Sequence, residues 1–167
     1  MMIYNCRVSR LELQTLIDFK GAAPDVLTRL HVLGLTDPPP QRFTASGPLR
    51  LLRPAPWHWL LRAPIEHEDA LLAQALQPCP AADTLIVPVT DAYTWFAVQG
   101  REARELMAVA CPLDLDPAVF AADGATFTET FGMKALVWRC ADGFELAVER
   151  SHGPMMADWL ARIQGKL

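Results

Sequence analysis

Four histidines, four cysteines, five tryptophans and some clustered acids are the side chains of this chain that could carry chemistry. His67 stands among Glu66, Glu68 and Asp69, a composition that resembles a metal-ligand cluster. Consecutive positions on a helix point in different directions, so these groups cannot converge on one ion. A solvated helix start is the better reading. His31, His58 and His152 have no histidine three or four residues on, and His-Glu-x-x-His does not occur. Ser46-Gly47 and Ser151-His152-Gly153 lack the Gly-x-Ser-x-Gly frame of a hydrolase elbow. Ser151 is expected instead to cap the C-terminal helix. The nine glycines are scattered, with no Gly-x-Gly-x-x-Gly and no Walker motif. Cys6, Cys79, Cys111 and Cys140 are far apart, with no Cys-x-x-Cys, and read as reduced core thiols. No catalytic, cofactor-binding or metal-ligating residue is assigned.

A surface for a partner is better marked. Arg50, Arg53 and Arg62 flank Trp57 and Trp59. This is either a stacking-plus-phosphate surface or a β-hairpin with arginines on its wet face. The net charge of −4 argues against nucleic acid. Arg53, Trp57, Trp59 and Arg62 are therefore the candidate partner interface, whereas Trp95, Trp138 and Trp159 fall on elements expected to be buried. A hydrophobic fraction of 51% against 20% charged hints that part of the surface is covered by a partner. An isolated chain would then self-associate. No apolar run approaches the roughly 20 residues that span a bilayer. The N-terminus has no apolar stretch of signal-peptide length, so a cytoplasmic location is expected.

The elements that must position these residues follow from periodicity. Residues 11–20 alternate, with Leu11, Leu13, Ile17 and Phe19 on one side and Leu16 as the exception. Gly21 ends that strand, and Pro24 opens a helix with Val26, Leu27, Leu30 and Leu33. Asp37-Pro38-Pro39-Pro40 is a loop. Leu49–Arg53 and Trp57–Arg62 are strands of a hairpin. A helix follows, with acids at its start and a stripe of Ala70, Leu71, Leu72, Ala75 and Leu76. The second half repeats this order: strand Tyr93–Val98, Gly100, a helix with Ala103, Leu106, Met107 and Ala110, then a loop with Pro117. Strands Thr126–Phe131 and Lys134–Arg139, the turn Ala141-Asp142-Gly143, strand Phe144–Glu149 and a helix after Pro154 complete it.

Gly21 and Gly100 are followed at equal distances by Leu27 and Leu106, then by Pro38 and Pro117. Matched offsets within a matched element order indicate duplication. The expected architecture is α+β: one domain, 1–167, of two ferredoxin-like β-α-β-β-α repeats at about 11–77 and 91–163.

The segment Trp95-Phe96-Ala97-Val98-Gln99-Gly100-Arg101-Glu102-Ala103-Arg104-Glu105-Leu106 resembles a signature of the glycine-cleavage T-protein (aminomethyltransferase) superfamily. Cys111-Pro112-Leu113-Asp114-Leu115-Asp116-Pro117, Phe120, Asp142-Gly143-Phe144-Glu145-Leu146 and Glu149-Arg150-Ser151 narrow this to a likeness to the gamma subunit of heterotetrameric sarcosine oxidase. A branch devoted to iron–sulfur protein repair carries Lys-Gly-Cys-Tyr-x-Gly-Gln; here Lys20-Gly21 is followed by Ala22. The resemblance implies a T-protein-like, folate-binding-like fold and a non-catalytic scaffold packed on an alpha subunit. It also implies that FAD, FMN, NAD, tetrahydrofolate and zinc belong to partner subunits (alpha, beta and delta). The alternative it carries is a stand-alone tetrahydrofolate-binding protein or one-carbon transferase, with Asp83 and Asp91 near the junction of the repeats as candidate pterin-binding carboxylates.

Overall fold

A computed structural model describes residues 4–78 and 84–165. The chain forms two compact units: Leu13–Thr90, here the first unit, and Met1–Glu12 with Asp91–Leu167, the second. No helix among the described residues is long and apolar enough to cross a membrane.

The described chain opens with β1 (Arg7–Arg10), which belongs to the second unit. The first unit then runs β2 (Gln14–Gly21), α1 (Ala23–Val32), β3 (Arg42–Ser46), β4 (Leu49–Ala55), β5 (His58–Pro64), α2 (Glu68–Ala75) and β6 (Thr84–Pro88). Its five strands are antiparallel in the order β3-β4-β5-β2-β6. Register puts Ile17 opposite Leu61, Phe19 opposite Trp59 and Leu51 opposite Leu61. These side chains meet Val26 and Leu30 of α1 and Leu71 and Ala75 of α2 in one core. Full burial of each aliphatic chain stabilises the unit by about 1.5–3 kcal/mol.

Two expectations change here. The strand expected from residue 11 begins at Gln14, because Leu11 belongs to the second unit, where its N–H donates to the Trp95 carbonyl at 2.9 Å. Leu16, the break in the alternation, is fully buried with Leu52 and Leu60 on the opposite sheet face. On α2 the buried stripe is narrower than expected: Leu71 and Ala75 are inside, while Ala70 and Leu76 are exposed.

The second unit continues from β1 with β7 (Tyr93–Gln99), α3 (Ala103–Ala110), β8 (Ala125–Thr130), β9 (Met133–Cys140), β10 (Gly143–Glu149) and α4 (Gly153–Ile163). The sheet order is β1-β7-β10-β9-β8, again antiparallel. Phe96, Val98, Val137, Phe144 and Leu146 face Leu106 and Met107 of α3 and Met156 and Leu160 of α4. Trp95, Ala97, Leu136, Trp138 and Ala147 are buried on the other face. Sheets that are apolar on both faces account for much of the hydrophobic composition, which weakens it as a sign of a partner. Gly143 has φ +139, and a Cβ there would lie 2.2 Å from the Val98 carbonyl oxygen, so only glycine fits. Ser151 does not cap α4: the N-cap residue is His152, with no side-chain capping bond.

Each repeat has strands beyond the β-α-β-β-α expectation. β1 precedes β2 in the chain yet pairs with β7, and β6 precedes β7 yet pairs with β2. β3 lies between the expected proline-rich loop and hairpin, in a stretch to which periodicity assigns no element. The helices also match one residue out from the spacing of Leu27 and Leu106. Burial aligns Val26 and Leu30 with Leu106 and Ala110. Val26 N–H donates to Ala22, as Leu106 N–H does to Glu102.

Candidate partner interface

The β4–β5 hairpin carries all four candidate interface residues, and the structure separates them. Trp59 is a core residue with no exposed surface. Its Nε1–H donates to Asp37 Oδ1 at 2.6 Å, which satisfies the indole donor away from water. Arg53 folds back over the indole, with its guanidinium carbon 4.7 Å from the ring centroid. Its Nη1 donates to Asp37 Oδ2 at 2.8 Å and to Pro38 O at 3.4 Å, and its Nη2 donates to Pro56 O at 3.0 Å. Arg53 and Trp59 therefore clamp the proline-rich loop and the hairpin turn, and full burial leaves Trp59, expected at the interface, no surface to offer a partner. A register shift between Leu52 and Ala55 lets the strand bend at this point. Arg62 is half-buried beside Leu16. Trp57 alone stands out, 63% exposed at the hairpin tip.

The second unit repeats the clamp. Leu51 and Val137 occupy matching sheet positions, each two residues before an arginine, Arg53 and Arg139. Arg139 lies over Phe144, the counterpart of Trp59, at 4.9 Å, and over Phe120 at 5.8 Å. Its Nε donates to Phe120 O at 2.9 Å and its Nη2 to Leu115 O at 2.6 Å. These carbonyls belong to the loop around Asp116-Pro117, which matches Asp37-Pro38. No periodicity signals such a device, because its members meet only through the fold.

Elsewhere the ionisable groups are dispersed. Asp18 accepts from Lys20 Nζ at 2.7 Å and lies 2.9 Å from His58 Nε2. Burial pushes the Asp18 carboxyl upward, but hydrogen bonds and positive charge from His58 and Lys20 outweigh it, and its pKa falls below the usual 3.8. Asp91 forms an exposed ion pair with Arg150 at 3.1 Å. Asp83 and Cys79 lie outside the described residues. Cys111 is buried, and Cys6 and Cys140 are half-buried. Desolvation, then nearby acids, raises the Cys140 thiol pKa. Among the described residues, no group of three or more His, Cys, Asp or Glu side chains could hold a metal ion. Trp95 and Trp138 are buried and meet edge-to-face at 5.5 Å, as core residues should. Trp159, also expected in the core, is 37% exposed.

Two antiparallel sheets, each layered with a helix pair, define an α+β fold of the T-protein type. The structure matches glycine cleavage system aminomethyltransferase T from Bartonella henselae with a TM-score of 0.67 at 17% identity. That match covers 95% of this chain and 46% of the other, so this chain spans about half the length of that protein. Heterotetrameric sarcosine oxidase from Corynebacterium sp. U-96, solved in complex with pyrrole 2-carboxylate, matches with a TM-score of 0.83 at 16% identity, over 96% of this chain and 84% of that one. No curated protein matches by sequence. The sarcosine oxidase gamma subunit family matches residues 20–165, and the chain belongs to that family.

Proposed function

We propose that this chain is a non-catalytic, structural gamma-type subunit of a heterotetrameric sarcosine oxidase-like flavoenzyme. The complex would oxidatively demethylate an N-methyl amino acid, sarcosine to glycine, and pass the one-carbon unit to tetrahydrofolate. In this reading alpha, beta and delta subunits carry FAD, FMN, NAD, zinc and tetrahydrofolate, and the assembly works in the cytoplasm. The observation that carries the reading is the family match over residues 20–165, joined to a fold likeness spanning 96% of the chain. Arg53 and Arg139, committed to the Asp37 carboxylate, loop carbonyls and core rings, fit a scaffold role.

The test is purification of the tagged chain from its native host at native expression level. Recovery at fixed stoichiometry with flavin-bearing polypeptides that oxidise sarcosine is the expected result. A chain recovered alone and colourless would overturn the proposal. Trp57, an exposed aromatic at a rigid hairpin tip, is the candidate contact on the first unit.

A further inference from the structure

In chain order β1 comes just before the first repeat and β6 just before the second, yet each closes the sheet of the other. The two strands fill the same place. Leu16 and Trp95 stand equally far before Gly21 and Gly100. The Leu16 carbonyl accepts from Val89 N–H at 2.8 Å, as the Trp95 carbonyl accepts from Leu11 N–H at 2.9 Å. Ile86 of β6 and Val8 of β1 each pack on the core of the unit they close. How the strands are held differs. β6 follows α2 within one unit, and Thr90 just beyond it is buried, its hydroxyl accepting from Leu16 N–H at 3.0 Å and donating to Glu68. The position matching Thr90 is Glu12, which is exposed, and there the chain passes into the other unit.

Residues 4–10 lie in a slot that fits their backbone. Gly100 has φ +115, and a Cβ there would lie 3.1 Å from both the Asn5 carbonyl oxygen and Cys6 Cα, so a side chain would push the segment away. Gln164, buried at the end of α4, donates from Nε2 to Cys6 O at 2.5 Å. Arg7 Nη2 donates to Gln99 Oε1 at 3.0 Å, and the Asn5 N–H donates to the Glu102 carboxylate. Tyr4, Cys6 and Val8 pack on the core, and all three are only half-buried. A segment held by specific bonds and little apolar burial opens at low cost.

We infer that residues 4–10 are an exchangeable strap, and that the slot beside β7 takes the same segment from a second copy of this chain. The strap of another copy satisfies each bond and packing contact of the slot equally well. Reciprocal exchange therefore costs no contacts and leaves only the entropy of association to be met. Leu11-Glu12-Leu13 alone joins the strap to β2, with Glu12 and Leu13 exposed, and so short a hinge favours exchange. β6 is barred from it, being tied through Thr90 and through α2 to its own unit. The inference concerns the isolated chain and is independent of the subunit reading. It gives self-association a strand as its means, in place of an apolar patch.

The experiment concentrates the purified chain and separates monomer from dimer by size exclusion with light scattering, for wild type and for Val8→Cys/Val98→Cys. Val8 and Val98 are directly opposed, so thiols at these positions lie within disulfide reach. Oxidising the dimer is expected to join two chains through the engineered pair, which peptide masses distinguish from links between native thiols. Oxidising the monomer is expected to lock the strap and abolish the dimer. Wild-type dimer, once isolated, should persist on dilution, because release requires both straps to open. Wild type that forms no dimer overturns the inference, as does a dimer whose engineered pair links only within each chain. A variant that fails to fold leaves the decision to the wild type, where a dimer that reverts to monomer at once on dilution overturns it.

Discussion

The clamps of the two units hold the same loop with the same cation and different acceptors. In the first, Arg53 stacks on an indole, and one carboxylate, Asp37, receives both the guanidinium and the indole N–H. In the second, Phe144 has no donor to satisfy and Arg139 spends its bonds on two backbone carbonyls. Asp116, at the position of Asp37, turns instead to Arg104 and to the N–H of Ala118. The arginine and the ring below it persist because both are packed into the core. The acceptor is free to drift once the ring no longer carries a polar atom.

The most damaging way to break this comparison is to remove the ring. Trp59→Ala and Phe144→Ala should each cost about 3–5 kcal/mol, since each empties a core and unseats its arginine. Denaturant unfolding measures this, and a loss below roughly 1 kcal/mol in either would show that the ring is not the base of the clamp. Replacing the cation is next. Arg53→Lys and Arg139→Lys should each cost about 1–3 kcal/mol, because a point charge cannot serve a ring and two acceptors together. Salt separates them. Added salt should weaken the Arg53 contribution, which includes the Asp37 carboxylate, and leave that of Arg139 nearly unchanged. Equal salt sensitivity would mean that the carboxylate adds nothing.

The sequence reveals most of this architecture where strands lie inside the sheets or adjoin tight turns. β4, β5, β7, β9 and β10 carry dense apolar runs, and the resemblance in residues 95–151 led to the family later matched. The strands that escaped notice, β1, β3 and β6, are all edge strands. An edge strand pairs on one side only and is short here, four or five residues; β1 and β3 are also more polar, and the aliphatic run of β6 ends in Pro88. α4 shows a different limit. Met155-Met156 and Trp159-Leu160 look like one broad apolar face, yet the structure buries Met156 and Leu160 and turns the other two outward. Adjacent helical positions are about 100° apart, so composition alone could not choose between them. The clamps were illegible because Asp37 and Trp59 meet only through the sheet.

Trp59→Phe sharpens the contrast by giving the first unit the ring of the second. The core loses little volume, but Asp37 Oδ1 loses its indole donor, and a cost of about 1–2 kcal/mol is expected. Adding Asp37→Ala should then cost less than it does alone, with a coupling of at least about 0.5 kcal/mol in a double-mutant cycle. Strict additivity would show that the two groups act independently and that the clamps differ only in appearance.

The smallest expected difference concerns acid. Asp18 of β2 sits between Lys20 and His58, whereas the matching position on β7 is Ala97. The folded Asp18 pKa lies below its ordinary 3.8, so the unfolded chain binds this proton more readily than the folded one. Its contribution is therefore present above about pH 4–5 and is lost as pH falls through the folded value. Asp18→Asn should cost about 1 kcal/mol near neutrality, discounted for partial exposure, and almost nothing at the acid limit. Unfolding curves taken from neutrality into acid would show the two proteins converging as pH falls through the folded Asp18 pKa. A gap that stayed constant with pH would mean that Asp18 acts through its shape and hydrogen bonds rather than its charge.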